Sequence, residues 1–211
     1  MTPIIRVQGR LLIGGIDCVP DIINVNKKEN MDFIVLASSM QGEPVSKSRT
    51  MYIPVVVGKR GQSHFLQTTL PTATTFIRNS LAEERRVCII CEGGKDLSVG
   101  VALAALQLFF QDNGRLVPMN PGSTLSQGTF YLIYLHSHGL TSIVADKKSI
   151  RTRLEWIIAS RPQANPSRAT LKRVNEFLLS PISFRRVSPL SSKAEFGRQN
   201  ENPAASEAYI N

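Results

Sequence analysis

The chain has 211 residues, 42% of them hydrophobic, and a formal net charge of +9. That suits one α/β domain with a full core plus a tail, and three cysteines, two of them (Cys88 and Cys91) in an apolar run, exclude a disulfide-stapled scaffold and fit a reducing compartment. No stretch reaches the ~18 apolar residues of a membrane span and the opening MTPIIRVQGR has no signal-peptide core, so a soluble, cytoplasmic protein without a membrane partner is expected; the positive balance fits a polyanionic partner, and by itself equally an acidic surface or simple solubility.

Leu11-Leu12-Ile13 reads as a short strand running into a turn at Gly14-Gly15. Asp32 to Ala37 and Met51 to Val57 read as two more strands, with Pro54 marking an edge position or a bulge. Gly58 to His64 (GKRGQSH) reads as a loop whose Lys59 and Arg60 suit either a pyrophosphate or plain solvent. From Leu70 to Arg86 the pattern is helical, with Pro71 in the first turn, Phe76, Ile77 and Leu81 on one face, and Arg85 and Arg86 placed favourably for the helix dipole. Val87 to Ile90 is apolar without alternation, as in a strand covered on both faces, and Leu97 to Phe110 is apolar on all sides, as in a central helix.

After a turn at Asp112-Asn113-Gly114, the apolar, aromatic stretch Thr129 to Val144 fits no element and is set apart as an atypical insertion, 128–145. Its His136 and His138 have no further ligand type beside them, so no metal site is assigned. Residues 147–160 and 167–179 read as two helices, the second opened by Asn165 as cap and Pro166 at the first position. Lys147 to Arg186 holds ten Lys or Arg against two Glu, so the positive charge is localised. Arg168 and Lys172 share a helical face with Arg173 beside them, over a buried side of Leu171, Val174 and Leu178. With Arg151 and Arg153 they form a candidate nucleic-acid track that touches backbone charge without reading bases; a solvated helix is the alternative for any one of them. The domain is bounded at 1–180, and 181–211 is a polar tail expected to be disordered.

The stretch that organises the rest is Cys91-Glu92-Gly93-Gly94-Lys95-Asp96-Leu97-Ser98, between the buried strand and the central helix. Gly93 and Gly94 permit φ > 0 and close approach of a ligand, and the helix start presents unpaired N–H groups. A Cys ending a strand, five loop residues, then Arg and Ser at a helix start is the phosphate loop of cysteine-dependent phosphatases. Here Cys91 and Ser98 keep the spacing, but Leu97 stands at the arginine position and Ile90 where a His is usual. Leucine cannot fork two hydrogen bonds to a phosphate, and one support for a low thiol pKa is missing. The loop 58–64 also lacks the Asp that protonates a phosphatase leaving group. The cradle looks converted from hydrolysis to binding.

Two strings carry a closer resemblance: Gly94-Lys95-Asp96-Leu97-Ser98-Val99-Gly100-Val101-Ala102-Leu103, and Leu154-Glu155-Trp156-Ile157-Ile158 with Ser160-Arg161-Pro162 and Asn165-Pro166-Ser167-Arg168-Ala169-Thr170-Leu171. Over most of residues 10 to 180 the chain resembles the phosphatase-like C-terminal domain of the initiator tRNA phosphoribosyl transferases. The resemblance implies an α/β, dual-specificity-phosphatase-like three-layer domain with a central, mostly parallel sheet, a phosphate loop and flanking helices. It implies transfer of a 5-phosphoribosyl group from phosphoribosyl pyrophosphate, accompanied by Mg²⁺, to a ribose 2'-hydroxyl of initiator methionine tRNA. Donor binding then falls to the amides of Glu92 to Ser98 (Cys91, Glu92, Gly93, Gly94, Lys95, Leu97 and Ser98 lining the cradle) and catalysis to Lys95 and Asp96. Asp96 is open to three roles: Mg²⁺ ligand, brace of the loop, or base toward the incoming hydroxyl, beside that of an ordinary helix cap. Cys91 is expected to be structural. Two other readings stay open: a phosphatase, and a non-catalytic phosphate- or tRNA-binding module, the latter because the family carries a large N-terminal region that this sequence does not have.

Overall fold

The computed structural model describes residues 1–18, 30–38, 49–118 and 145–179. The expected insertion (save Ala145), the two histidines within it and the 181–211 tail lie outside these residues.

Five strands form one sheet in the order β1-β2-β5-β3-β4: β1 (Thr2–Pro3), β2 (Leu11–Gly15), β3 (Met31–Ala37), β4 (Thr50–Pro54) and β5 (Arg86–Cys91). β1 runs antiparallel to β2, and all other pairs are parallel. β5 sits in the middle, with Ile89 opposite Ile13 on one side and Ile34 on the other, and its unbroken apolar run is buried on both faces. Val87, Ile89 and Cys91 join Leu11, Ile13, Ile34 and Leu36 beneath the helices; Cys88 and Ile90 join Leu12, Phe33 and Val35 on the opposite face. Pro54 ends the edge strand β4, where a missing N–H breaks no ladder.

The glycines Gly14 and Gly15 belong to β2, paired with Ile90 and Cys91, rather than to a turn. The segment expected as a loop is helical: α1 (Lys59–His64) continues through a wide π-helical turn, Phe65–Thr69, into α2 (Leu70–Ala82). Gly58, at φ +78°, turns the chain, and Gly61 lies so close to the Val56 carbonyl that a Cβ there would collide with it. Pro71 then falls inside the helical run, and the wide turn before it relieves the clash of its ring with the preceding carbonyls. α2 ends at Ala82, so Arg85 and Arg86 are not its last turn. Arg85 is buried, bonding Asp32 at 2.6 Å and the Met31 carbonyl, which neutralises the one acid inside β3.

α3 (Leu97–Phe109) packs on the sheet and is enclosed by α2, α4 (Lys147–Ser160) and α5 (Arg168–Leu179), which accounts for its all-round apolar surface. Gly100 allows the closest crossing: a Cβ there would stand 2.6 Å from Thr170 Cγ2 on α5. α5 begins at Arg168, not at Pro166. Ser167 takes the cap role expected of Asn165, its Oγ accepting from the Thr170 amide at 3.1 Å.

A candidate phosphate-binding loop

Because β2, β5, β3 and β4 are parallel, the segments that follow them emerge at one edge of the sheet. The turn 92–96 is the central one, leading into α3. It closes tightly, with the Gly94 amide donating to the Cys91 carbonyl at 3.1 Å. The amides of Gly93, Lys95, Asp96, Leu97 and Ser98 find no backbone acceptor among the described residues. They form a run of donors at the positive end of a thirteen-residue, largely buried helix.

Only Gly94 of the two loop glycines has positive φ, +62°. What approaches it is β2 rather than a ligand: a Cβ on Gly94 would stand 2.8 Å from the Gly14 carbonyl and 2.7 Å from Arg161 Nη2. Gly93 is exposed, and a Cβ there would meet nothing nearer than the Lys95 side chain at 3.9 Å.

Cys91 and Ser98 meet at the floor, sulfur to oxygen 3.0 Å, both buried. Ser98 is fully buried, and its hydroxyl meets the sulfur. Leu97 is half-buried against the core. Glu92 and Lys95 are exposed, and their carbonyls accept from the Ile16 amide (3.2 Å) and the Asn165 amide (2.9 Å). Asp96 stands at the cap position of α3 but makes no side-chain bond to it. Its Oδ1 accepts from the Ser167 amide at 2.9 Å, so among its expected roles the geometry meets that of a brace. Burial pushes the neighbouring Cys88 thiol up to about 12, leaving it neutral in the sheet.

The sequence reading missed Arg161. Its Nε donates to the Gly94 carbonyl at 2.9 Å and its Nη1 to Thr2 Oγ1 at 2.8 Å, so the first residue after α4 ties the loop to β1. The available signal was its place in the Ser160-Arg161-Pro162 string; counting it as one more surface cation concealed it.

The five cations assigned to nucleic acid divide. Arg168 and Lys172 are exposed. Arg151 is exposed and pairs with Glu155 at 3.2 Å, and Arg173 is half-buried and pairs with Glu176 at 2.7 Å. Arg153 is 0% exposed and is removed from the track: it donates to the Leu106 and Phe110 carbonyls and to Asp112 Oδ1, and lies 5.4 Å from the centre of the Trp156 ring. Among the described residues no three or more His, Cys, Asp or Glu come together as a metal site, and no helix is long and apolar enough to cross a membrane.

Residues 49–178, more than half of the chain, match the family model of the Rit1 DUSP-like domain of initiator tRNA phosphoribosyl transferases. Among solved structures, the chain is similar to the Yvh1 phosphatase domain from Chaetomium thermophilum (17% identity over 80% of this chain and 89% of that one, TM-score 0.49). It is also similar to human DUSP28 (12%, 84% and 94%, 0.47) and to a leucine-rich-repeat and phosphatase domain protein from Entamoeba histolytica (14%, 83% and 88%, 0.48). No curated protein matches it.

Proposed function

Since the chain belongs to the initiator tRNA phosphoribosyl transferase family through its Rit1 DUSP-like domain, a family tied to initiator tRNA modification, we propose that it binds phosphoribosyl pyrophosphate at the 92–98 loop for transfer of the 5-phosphoribosyl group to a ribose 2'-hydroxyl of initiator methionine tRNA. One observation carries this: the loop keeps a row of amides with no acceptor among the described residues and an exposed Lys95, while its cysteine is buried against Ser98 and its arginine position is Leu97. Such a cradle holds a phosphoryl group without attacking it.

In the transfer, the 2'-oxygen forms a bond to the donor's anomeric carbon as the bond from that carbon to pyrophosphate breaks, its electron pair leaving with the pyrophosphate while the hydroxyl gives up its proton to solvent water. The amides and Lys95 stabilise charge as it grows on the leaving group. Mg²⁺ accompanying the donor would supply charge neutralisation on the pyrophosphate. Asp96 braces the loop through its Oδ1, which accepts from the Ser167 amide. Lys172 meets tRNA phosphates.

The test is isothermal titration of the purified chain with phosphoribosyl pyrophosphate and Mg²⁺, then label transfer to initiator tRNA in the same preparation. Binding with transfer is the expected result. Binding without transfer leaves a donor-binding module, and absence of binding overturns the proposal.

A further inference from the structure

The loop lacks the arginine that Leu97 displaces, yet the segment joining α4 to α5 is fastened along it by three bonds: Arg161 Nε to the Gly94 carbonyl, the Asn165 amide to the Lys95 carbonyl, and the Ser167 amide to Asp96 Oδ1, each 2.9 Å. The next residue is Arg168, which opens α5. Side chains of a first helical turn lean toward the helix N-terminus, and here that end is the one held at Asp96, immediately before Leu97. Arg161 is already committed to Gly94 and Thr2, and Arg173 pairs with Glu176. Arg168 is exposed and has no carboxylate partner among the described residues.

We propose that Arg168, delivered from α5 by the Asp96–Ser167 bond, supplies the guanidinium that the loop lacks and grips the pyrophosphate of the donor, in place of the tRNA role its position in the basic strip suggests. This rests on the reading of the loop as a donor site. A fork of N–H donors entering from a neighbouring helix meets phosphate oxygens from the side, complementing amides that meet them from below. Asp96 is then a positioning residue: it holds the start of α5 where the arginine can reach, and it keeps a carboxylate in an anion cradle by giving that carboxylate an amide partner.

The experiment is calorimetric titration of inorganic pyrophosphate into the wild-type chain and into Arg168→Ala, Arg168→Lys and Lys172→Ala, with the salt dependence of tRNA binding measured on the same four proteins. Removal of Arg168 is expected to weaken pyrophosphate about tenfold or more, the worth of a hydrogen bond to a charged group. Lys at 168 should recover only part of this because a point charge cannot fork, and Lys172→Ala should leave pyrophosphate affinity unchanged while flattening the salt dependence for tRNA. Undiminished pyrophosphate binding by Arg168→Ala, with the wild type binding normally, would overturn the inference and leave the donor site standing. Failure of the wild type itself to bind pyrophosphate would remove both. Arg168 is exposed and has no ion-pair partner among the described residues, so unchanged thermal midpoints are expected in both of its variants, and the Lys variant keeps the comparison open if the Ala protein is unstable.

Discussion

In the loop 92–98, position is set by the backbone and charge is sparse: Gly94, Lys95 and Asp96 are each held by a bond from the segment between α4 and α5. In α4 and α5 themselves charge is abundant and much of it is absorbed by the protein. Of the eight Lys and Arg between 147 and 179, Arg153 and Arg161 are committed to interior or loop carbonyls, and Arg151 and Arg173 pair with glutamates. Lys147, Lys148, Arg168 and Lys172 remain to meet a polyanion. A count of formal charge therefore overstates a basic surface wherever some of its arginines are structural donors, and only their surroundings tell the two kinds apart.

The sharpest test of that division uses two arginines on one helix. Arg153→Ala should cost about 3–5 kcal/mol of stability, because two buried carbonyls lose their donor and a cavity opens beside Trp156. Arg151→Ala should change stability by no more than about 0.5 kcal/mol, as exposed pairs do. Urea midpoints of the two variants would decide it, and similar losses in both would dissolve the distinction.

Within the loop the same contrast is drawn between side chain and backbone. Lys95→Ala should weaken donor binding by about 1.5–3 kcal/mol and leave stability alone, because the lysine side chain is exposed. Gly94→Ala should cost about 1–3 kcal/mol of stability, since a Cβ meets Gly14 and Arg161 at a positive φ. Donor affinity unaltered in the lysine variant, measured by titration, would take the loop out of the mechanism.

How far the sequence led follows from the range of the interactions. β5 and α3 were legible because burial on every side leaves an unbroken apolar record in one short stretch. The loop was legible from its glycines and the spacing of Cys91 and Ser98, all local features. Asp96 was not, because the amide that fixes its role lies 71 residues along the chain. Arg153 and Arg161 were misread or missed for the same reason, their acceptors coming from α3 and from the loop. The helix at Lys59 was hidden differently: Lys-Arg-Gly-Gln-Ser-His has no apolar period, and its glycine is there because the Val56 carbonyl leaves no room for a side chain.

A smaller effect concerns the cations left on the surface. Lys148→Ala combined with Lys172→Ala should flatten the log–log dependence of tRNA affinity on salt by about one to two units, roughly one counterion for each phosphate that a lysine no longer neutralises. An unaltered slope, with affinity read across a salt series, would mean that these lysines face only water and that the surviving positive charge serves solubility.

The smallest expected effect tests how α4 is anchored so that its buried and exposed arginines stay on their own sides. Asp146 caps the helix: its carboxylate accepts from the Ser149 amide at 2.6 Å, while Ser149 Oγ accepts from the Asp146 amide at 3.0 Å. The backbone bond first, then the Ser149 side chain, hold the Asp146 carboxyl below its ordinary range. A group whose pKa is lower in the folded state contributes stability that is complete above its unfolded pKa and fades as pH falls through the folded value. Asn at this position also caps a helix but has no proton to lose. Asp146→Asn should therefore be slightly less stable than the wild type at pH 7, and the gap should close on acidification below about pH 5 as the carboxylate is protonated. Thermal midpoints of both proteins across that range would show it. A gap that stayed constant with pH would mean that the ionised carboxylate adds nothing an amide cannot supply, and that the capping box holds α4 by its geometry alone.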